Sequence, residues 1–132
     1  METSAVLLEK PERLSLEMVG LKDPGQDEVV VRVLHSGIST GTEKLLWSGA
    51  MPPFPGLGYP LVPGYESVGE VSETKSQSGF KAGDTVFIHG STCFEDVRVL
   101  FGGSARYLST ASKLLIKIDS TLKESGTLFA LA

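Results

Sequence analysis

A chain of 132 residues has room for one hydrophobic core and not for two. With 41% hydrophobic and 21% charged residues its composition is that of a folded globular chain, which sets aside disorder and fibrous repeats. A net charge of −4 without any run of Lys or Arg argues against nucleic acid as a partner. The lone Cys93 rules out an intrachain disulfide, and no apolar run approaches the roughly 18 residues of a membrane span, so the expectation is a soluble cytoplasmic protein.

Residues 3–8 are apolar and β-compatible, and residues 13–19 alternate, with Leu14, Leu16 and Met18 on one face and Arg13, Ser15 and Glu17 on the other. Together they read as an opening pair of strands. Lys22-Asp23-Pro24-Gly25 is a turn signal, and the valine-rich run 28–35 predicts a long strand with little exposed surface. It delivers the chain into residues 36–69, SGISTGTEKLLWSGAMPPFPGLGYPLVPGYESVG, which hold five of the seven prolines, seven of the fifteen glycines and the only tryptophan. Proline fixes φ and lacks a donor, and glycine reaches backbone shapes other residues avoid, so this density predicts a long shaped loop system. Inside it residues 42–47 form a short helix, with Gly41 or Thr42 near its start, Glu43 at the positive end of its dipole and Gly49 as its stop. Residues 50–63 show no periodicity.

A strand resumes over 67–73, followed by a polar hairpin over 74–79 and a turn at 80–84 into a strand over 85–89. A less regular strip runs to Val99, Phe101-Gly102-Gly103 makes a bend, and strands over 105–109 and 114–118 complete the set. Roughly six or seven short strands joined by turns imply a small barrel or sandwich. Ser120 or Thr121 is placed to cap a helix over 121–132. Its apolar end, Leu128-Phe129-Ala130-Leu131-Ala132, reads as a chain on its way into another domain.

Three landmarks in order, Ser36-Gly37-Ile38 with Gly41-Thr42-Glu43, then Pro63-Gly64-Tyr65-Glu66-Ser67-Val68-Gly69, then Gly83-Asp84-Thr85-Val86, resemble the N-terminal GroES-like catalytic domain of the medium-chain dehydrogenases/reductases. The uninterrupted run 36–69 is similar to the branch of that family acting on 3-hydroxyethyl bacteriochlorophyllide a in bacteriochlorophyll biosynthesis. The resemblance implies a mainly β, partly open GroES-like barrel with short helices over 1–120. Residues 121–132 would then begin a helix leading to a Rossmann domain absent from this sequence. It implies NAD, bound mainly by that other domain, oxidation of a chlorin hydroxyethyl group to acetyl, and homo-oligomers formed through the other domain. No G-x-G-x-x-G follows a strand here, and Gly56-Leu57-Gly58 fails both spacing and context, so the dinucleotide-binding residues stay unassigned. The chain alone is not expected to transfer a hydride. In zinc-dependent relatives a cysteine and a histidine stand where this chain has Thr40 (or Ser39) and Tyr65. Hydroxyl and phenol replace thiolate and imidazole poorly, and one cysteine cannot build a four-cysteine site, so no zinc is expected.

Without a metal, another group must take the alcohol proton as the hydride leaves. Tyr65 is placed to hydrogen-bond the substrate hydroxyl and pass the proton through Thr42 or Thr40 to Glu43, Glu66 or water, with Lys44 as the nearby cation. Each has a structural alternative: Tyr65 packing its ring, Glu66 tying loop amides, Glu43 serving only the helix terminus. Trp47, Met51, Phe54, Leu57 and Tyr59, with Ser39 and Lys44, offer a wall for a flat macrocycle, or close the barrel end. His89 is a candidate proton outlet or axial ligand for a chlorin magnesium, although a lone histidine is more often structural. Two other readings stay open: a zinc-free NADPH-dependent enone or quinone reductase, and a non-enzymatic tetrapyrrole-binding or co-chaperonin-like module.

Overall fold

In the computed structural model, which describes residues 1–75 and 77–123, the alternating N-terminal sequence makes a long hairpin. β1 (Glu2–Lys10) pairs antiparallel with β2 (Arg13–Gly20), Val6 opposite Leu16 and Leu8 opposite Leu14. The valine run becomes β3 (Glu28–Ser36), and the chain then passes through helix α1 (Thr40–Ser48) and the short β4 (Leu61–Val62). β5 (Ser67–Thr74), β6 (Thr85–Ile88), β7 (Arg98–Val99), β8 (Tyr107–Ala111) and β9 (Leu115–Lys117) follow. They form two sheets, in the orders β2-β1-β4-β7 and β8-β3-β5-β6-β9. Single pairings of Ala5 with Ala105 and of Leu21 with Phe94 join neighbouring parts of the wall and give a mainly β, partly open barrel.

The main core lies between the sheets, where Ala5, Leu7 and Val19 meet Val29, Val31, Val71, Val86 and Leu108. Burial of such side chains is the principal stabilising term, about 1.5–3 kcal/mol for each large aliphatic group. A second, smaller cluster of Leu8, Leu46 and Leu61 lies under the long loop, with Met51, Leu57, Tyr59 and Leu100 packed against it.

Several expected boundaries move. The helix begins two residues before the expected 42–47, because Ser39 takes the extended N-cap conformation; Gly49 ends it at φ +76°, as expected. The strand expected over 105–109 slides to Tyr107–Ala111, since Ala105 is held by a single pairing to Ala5 while β3 draws residues 107–111 into its own ladder. The strand expected over 114–118 shortens to Leu115–Lys117 because Ser112–Leu114 curl into a 3-10 turn. Asp119 caps the 3-10 turn Ser120–Leu122, its carboxylate accepting from the Thr121 N–H at 2.8 Å. The rest of the expected C-terminal helix lies outside the described residues. Along β2 the apolar face is left open to solvent, Leu14 57%, Leu16 72% and Met18 61% exposed, and Arg13 and Glu17 of the opposite face are exposed as well.

Gly69 shows how closely β5 lies on β3. A Cβ there would stand 2.5 Å from Val31 Cγ1 and 2.6 Å from the Arg32 carbonyl oxygen, and the backbone atom cannot rotate away. Gly69→Ala is expected to lower stability by about 1–3 kcal/mol through overpacking. The urea midpoint should fall with little change in slope.

Candidate active site

The site begins where β3 runs out. The Gly37 N–H donates to the Glu66 carbonyl at 3.0 Å, which holds the start of the 36–39 segment against the 63–66 corner. That corner turns at Gly64, whose φ of +83° suits glycine, and it is clamped from the other side. Gly103 N–H donates to the Gly64 carbonyl at 2.9 Å, Ser104 N–H to the Pro63 carbonyl at 3.0 Å, and the Ser67 hydroxyl to the Gly103 carbonyl at 2.9 Å. A Cβ on Gly64 would lie 2.6 Å from Ser104 Oγ and 3.0 Å from its backbone nitrogen, so the close approach requires glycine as well.

Helix α1 leaves Ser39 beside this corner and carries Glu43 in its first turn. The Ser39 and Gly64 backbone amides face the Glu43 carboxylate, yet its buried Oε2 has no hydrogen-bond partner. Glu66 is 3% exposed, its Oε1 is likewise unpartnered, and it lies over Gly37 so closely that a Cβ there would be 2.5 Å from that oxygen. Burial pushes the Glu43 carboxyl above the usual range; the two amides pull it back in part, and the charge of Glu66 raises it again. Burial alone pushes Glu66 upward. The fold therefore brings together two carboxyl groups that hold their protons more tightly than surface glutamates.

Glu43 forms the polar wall of a cavity of about 260 Å³ whose other sides are Val6, Leu8, Leu14, Ile38, Trp47 and Pro63, with Ser104 at the rim. An adjoining groove of about 370 Å³ shares Val6, Ile38 and Ser104 and runs on past Leu16, Val33 and Leu34 to Arg106. Trp47 is thus placed at a cavity against β1 and β2, which Met51, Phe54 and Tyr59 do not line. Met51 and Tyr59 pack on the second core cluster, where the Tyr59 hydroxyl donates to the Leu46 carbonyl, and Phe54 is exposed outside both cavities. Tyr65 is half-buried with its ring edge-on to Phe101, centroids 6.0 Å apart. No side-chain hydrogen bond among the described residues joins Tyr65 to Thr40, Thr42 or a carboxylate; Thr40 is exposed and Thr42 half-buried. Ser39 is the helix N-cap without a side-chain bond, and Lys44 is exposed. His89 is exposed beyond β6, edge-on to Phe87 at 4.9 Å and outside both cavities. Leu14, Leu16, Ile38, Ser104 and Arg106 line the cavities without having been expected there; only the alternation of residues 13–19 carried a signal.

The donor chemistry does not fit a zinc ion. Among the described residues no three His, Cys, Asp or Glu side chains gather, and Cys93 is buried in the main core, where burial pushes its thiol up. Nor do the residues fit a dinucleotide: α1, the one α-helix among the described residues, starts at Ser39-Thr40 without the glycine pattern that approaches a pyrophosphate. No helix among the described residues is long and apolar enough to cross a membrane.

The pattern of the alcohol dehydrogenase GroES-like domain family matches residues 25–120. The chain belongs to this family. Within the medium-chain dehydrogenases/reductases, this GroES-like domain is 51% identical over 133 residues to a 2-desacetyl-2-hydroxyethyl bacteriochlorophyllide A dehydrogenase from Rhodobacter capsulatus, a match covering 100% of the chain and 42% of that relative. It is 49% identical over 137 residues to the dehydrogenase of the same name from Cereibacter sphaeroides, covering 100% of the chain and 43% of the relative. The chain thus spans less than half the length of these curated relatives. Among solved structures, a probable oxidoreductase from Mycobacterium abscessus superposes with a TM-score of 0.75 at 26% identity, over 98% of this chain and 40% of that one. A thermostable alcohol dehydrogenase from Pyrobaculum aerophilum gives 0.74 at 26% identity, over 97% of this chain and 44% of the other.

The buried carboxyls make a prediction about stability. A carboxyl with a raised folded-state pKa stabilises the fold while protonated, and that contribution is lost as pH rises through the folded value. Glu66→Gln, neutral at every pH, is therefore expected to be more stable than the parent at pH 7 by about 1 kcal/mol, the low end of the cost of an unsatisfied buried polar group. The gain should vanish below about pH 4, where the parent carboxyl is protonated too. Urea denaturation of both proteins at the two pH values measures it.

Proposed function

We propose that this chain is the substrate-binding, acid–base half of a cytoplasmic dehydrogenase that oxidises the 3-(1-hydroxyethyl) group of a bacteriochlorophyllide to acetyl, with NAD as hydride acceptor and without catalytic zinc. One observation carries the reading: the desolvated Glu43 carboxyl, one of whose oxygens has no hydrogen-bond partner, forms the polar wall of an apolar cavity that also holds Trp47. The relatives that match the whole chain at about half identity bear that substrate in their names, which supports the choice of alcohol.

NAD, held outside the described residues, would supply the acceptor for the hydride. This chain has the remaining task. As the carbinol C–H bond gives up its hydride, the O–H proton must go to a base within hydrogen-bond reach, and the C–O bond becomes a carbonyl. Glu43 is suited to that proton because desolvation raises its affinity for it above that of a surface glutamate, and the Ser39 and Gly64 amides favour the anion that accepts it. Trp47, Leu14 and Ile38 provide a face for a flat macrocycle and keep water from the reacting oxygen. Glu66 acts on Glu43 by charge, and Tyr65 holds the corner through its ring.

In the enzyme carrying its dinucleotide-binding domain, Glu43→Gln is expected to lower kcat by about 10²–10⁴-fold, the usual worth of a positioned general base. Tyr65→Phe should keep near-parental turnover; the opposite pattern would move the proton chemistry to the 63–66 corner and overturn the role of Glu43. For the parent, kcat/KM should rise with pH through the elevated Glu43 pKa, since only the ionised carboxylate accepts a proton. Dialysis against a metal chelator should leave turnover unchanged, whereas a loss reversed by zinc would remove the metal-free part of the reading.

A further inference from the structure

The proposed reaction draws on Leu14 and Ile38 but leaves the rest of the outward apolar face of β2, Leu16 and Met18, without a role. Leu14, Leu16 and Met18 are each more than half exposed, and Ile38 beside them is 70% exposed. Single exposed aliphatics need no explanation, but a stripe of them along one strand, in register with β1, makes a contiguous surface. The two cavities run along it as one trough, because they share Val6, Ile38 and Ser104. Their volumes, about 260 and 370 Å³, together fall within the roughly 300–1,000 Å³ of ligand sites.

The trough has unlike ends. One closes on the Glu43 carboxyl and Trp47; the other reaches Arg106. The Arg106 backbone is fixed, its N–H donating to the Ser4 carbonyl at 2.9 Å and its carbonyl accepting from the Val33 N–H at 2.8 Å. Its side chain is exposed and makes no ion pair or hydrogen bond among the described residues, whereas Arg13 pairs with Glu9 and Arg32 with Glu70. A guanidinium at the end of an aliphatic trough is matched by a carboxylate, which it can grip through two parallel hydrogen bonds. The ligand that fits is a flat apolar body with an anionic carboxylate at one edge and the oxidisable alcohol at another. A bacteriochlorophyllide is such a molecule, with its hydroxyethyl group and its free propionate on different pyrrole rings.

We propose that Arg106 binds the propionate carboxylate of the substrate while the macrocycle lies along Leu14, Leu16 and Ile38 with its hydroxyethyl group turned to Glu43. The assignment rests on the dehydrogenase reading for the identity of the pigment, and it makes Arg106 the residue that selects the free acid over esterified pigments.

The test uses Trp47 fluorescence, corrected for pigment absorption, with 3-hydroxyethyl bacteriochlorophyllide a and its propionate methyl ester as the two probes. The parent chain should bind the acid about tenfold more tightly than the ester, as expected for one charge-assisted contact. Arg106→Met should erase that preference while binding the ester as the parent does, which also shows that the variant is folded; Arg106→Lys should keep part of it. Leu16→Glu, on the floor of the trough, should weaken both pigments. Equal binding of acid and ester by the parent, or an equal loss of both in Arg106→Met, overturns the role of Arg106 and leaves the substrate reading standing. Failure of both pigments to bind the parent overturns both, and undiminished binding by Leu16→Glu removes the trough as the seat.

Discussion

The backbone clamp between residues 63–64 and 103–104 is the constraint on which the placement of Glu43 and Glu66 depends. A buried corner must satisfy its N–H and C=O groups inside the protein, and here the Gly103 and Ser104 amides take up the Gly64 and Pro63 carbonyls. The Glu66 carbonyl is left for the Gly37 amide, which ties the end of β3 to the same corner. With both ends fixed, α1 starts where Ser39 must lie, and its first turn sets Glu43 against Gly64. Two glycines without room for a Cβ, at 37 and 64, are the local cost of bringing a helix terminus, a strand end and a turn so close.

The result is a site that works against stability. Glu43 and Glu66 are both desolvated and both have an oxygen without a donor, an arrangement that a fold optimised only for stability would replace with apolar side chains or ion pairs. The valine-rich core between the sheets offsets that cost, with Val29, Val31 and Val86 fully buried at a distance in sequence from the carboxyls. Such separation is common in enzymes: rigid strands carry the free energy of folding, and the loops between them hold groups in unfavourable environments where their proton affinities are useful.

What could be read in advance follows from what is local. The β1–β2 hairpin, β3 with its buried Val29–Val31 and the helix stop at Gly49 were legible because alternation, valine density and a left-handed glycine are written over a few consecutive residues, although Arg32 and His35 on β3 are exposed. The family landmarks at 63–69 and 83–86 were legible for the same reason. Alternation divides a strand into two faces without saying which faces the core, so the outward turn of Leu14, Leu16 and Met18 was beyond it. A proline-rich loop likewise has the same composition whether its apolar residues line a cavity or fill a satellite core; Met51 and Tyr59 do the latter and Trp47 the former. The meeting of Glu43 with Glu66 depends on the three-way junction at Gly37 and Gly64, and Arg106 is an isolated cation in sequence that acquires meaning from its place at the end of a trough.

The turn between β1 and β2 also has a role in how the molecule can be cut and rejoined. An exposed hairpin tip is ordinarily where a protease nicks a domain, or where a permuted chain can be opened without harm. Here Glu12, at φ +64°, donates its N–H to the Trp47 carbonyl at 2.7 Å, and Pro11 lies so close to Gly49 that a Cβ there would be 2.8 Å from the proline ring. The tip is a latch on the C-terminal end of α1. Severing the chain at Pro11 or Glu12, or splicing a sequence in between them, would release the indole together with the hairpin and so dismantle the cavity wall from its most exposed edge.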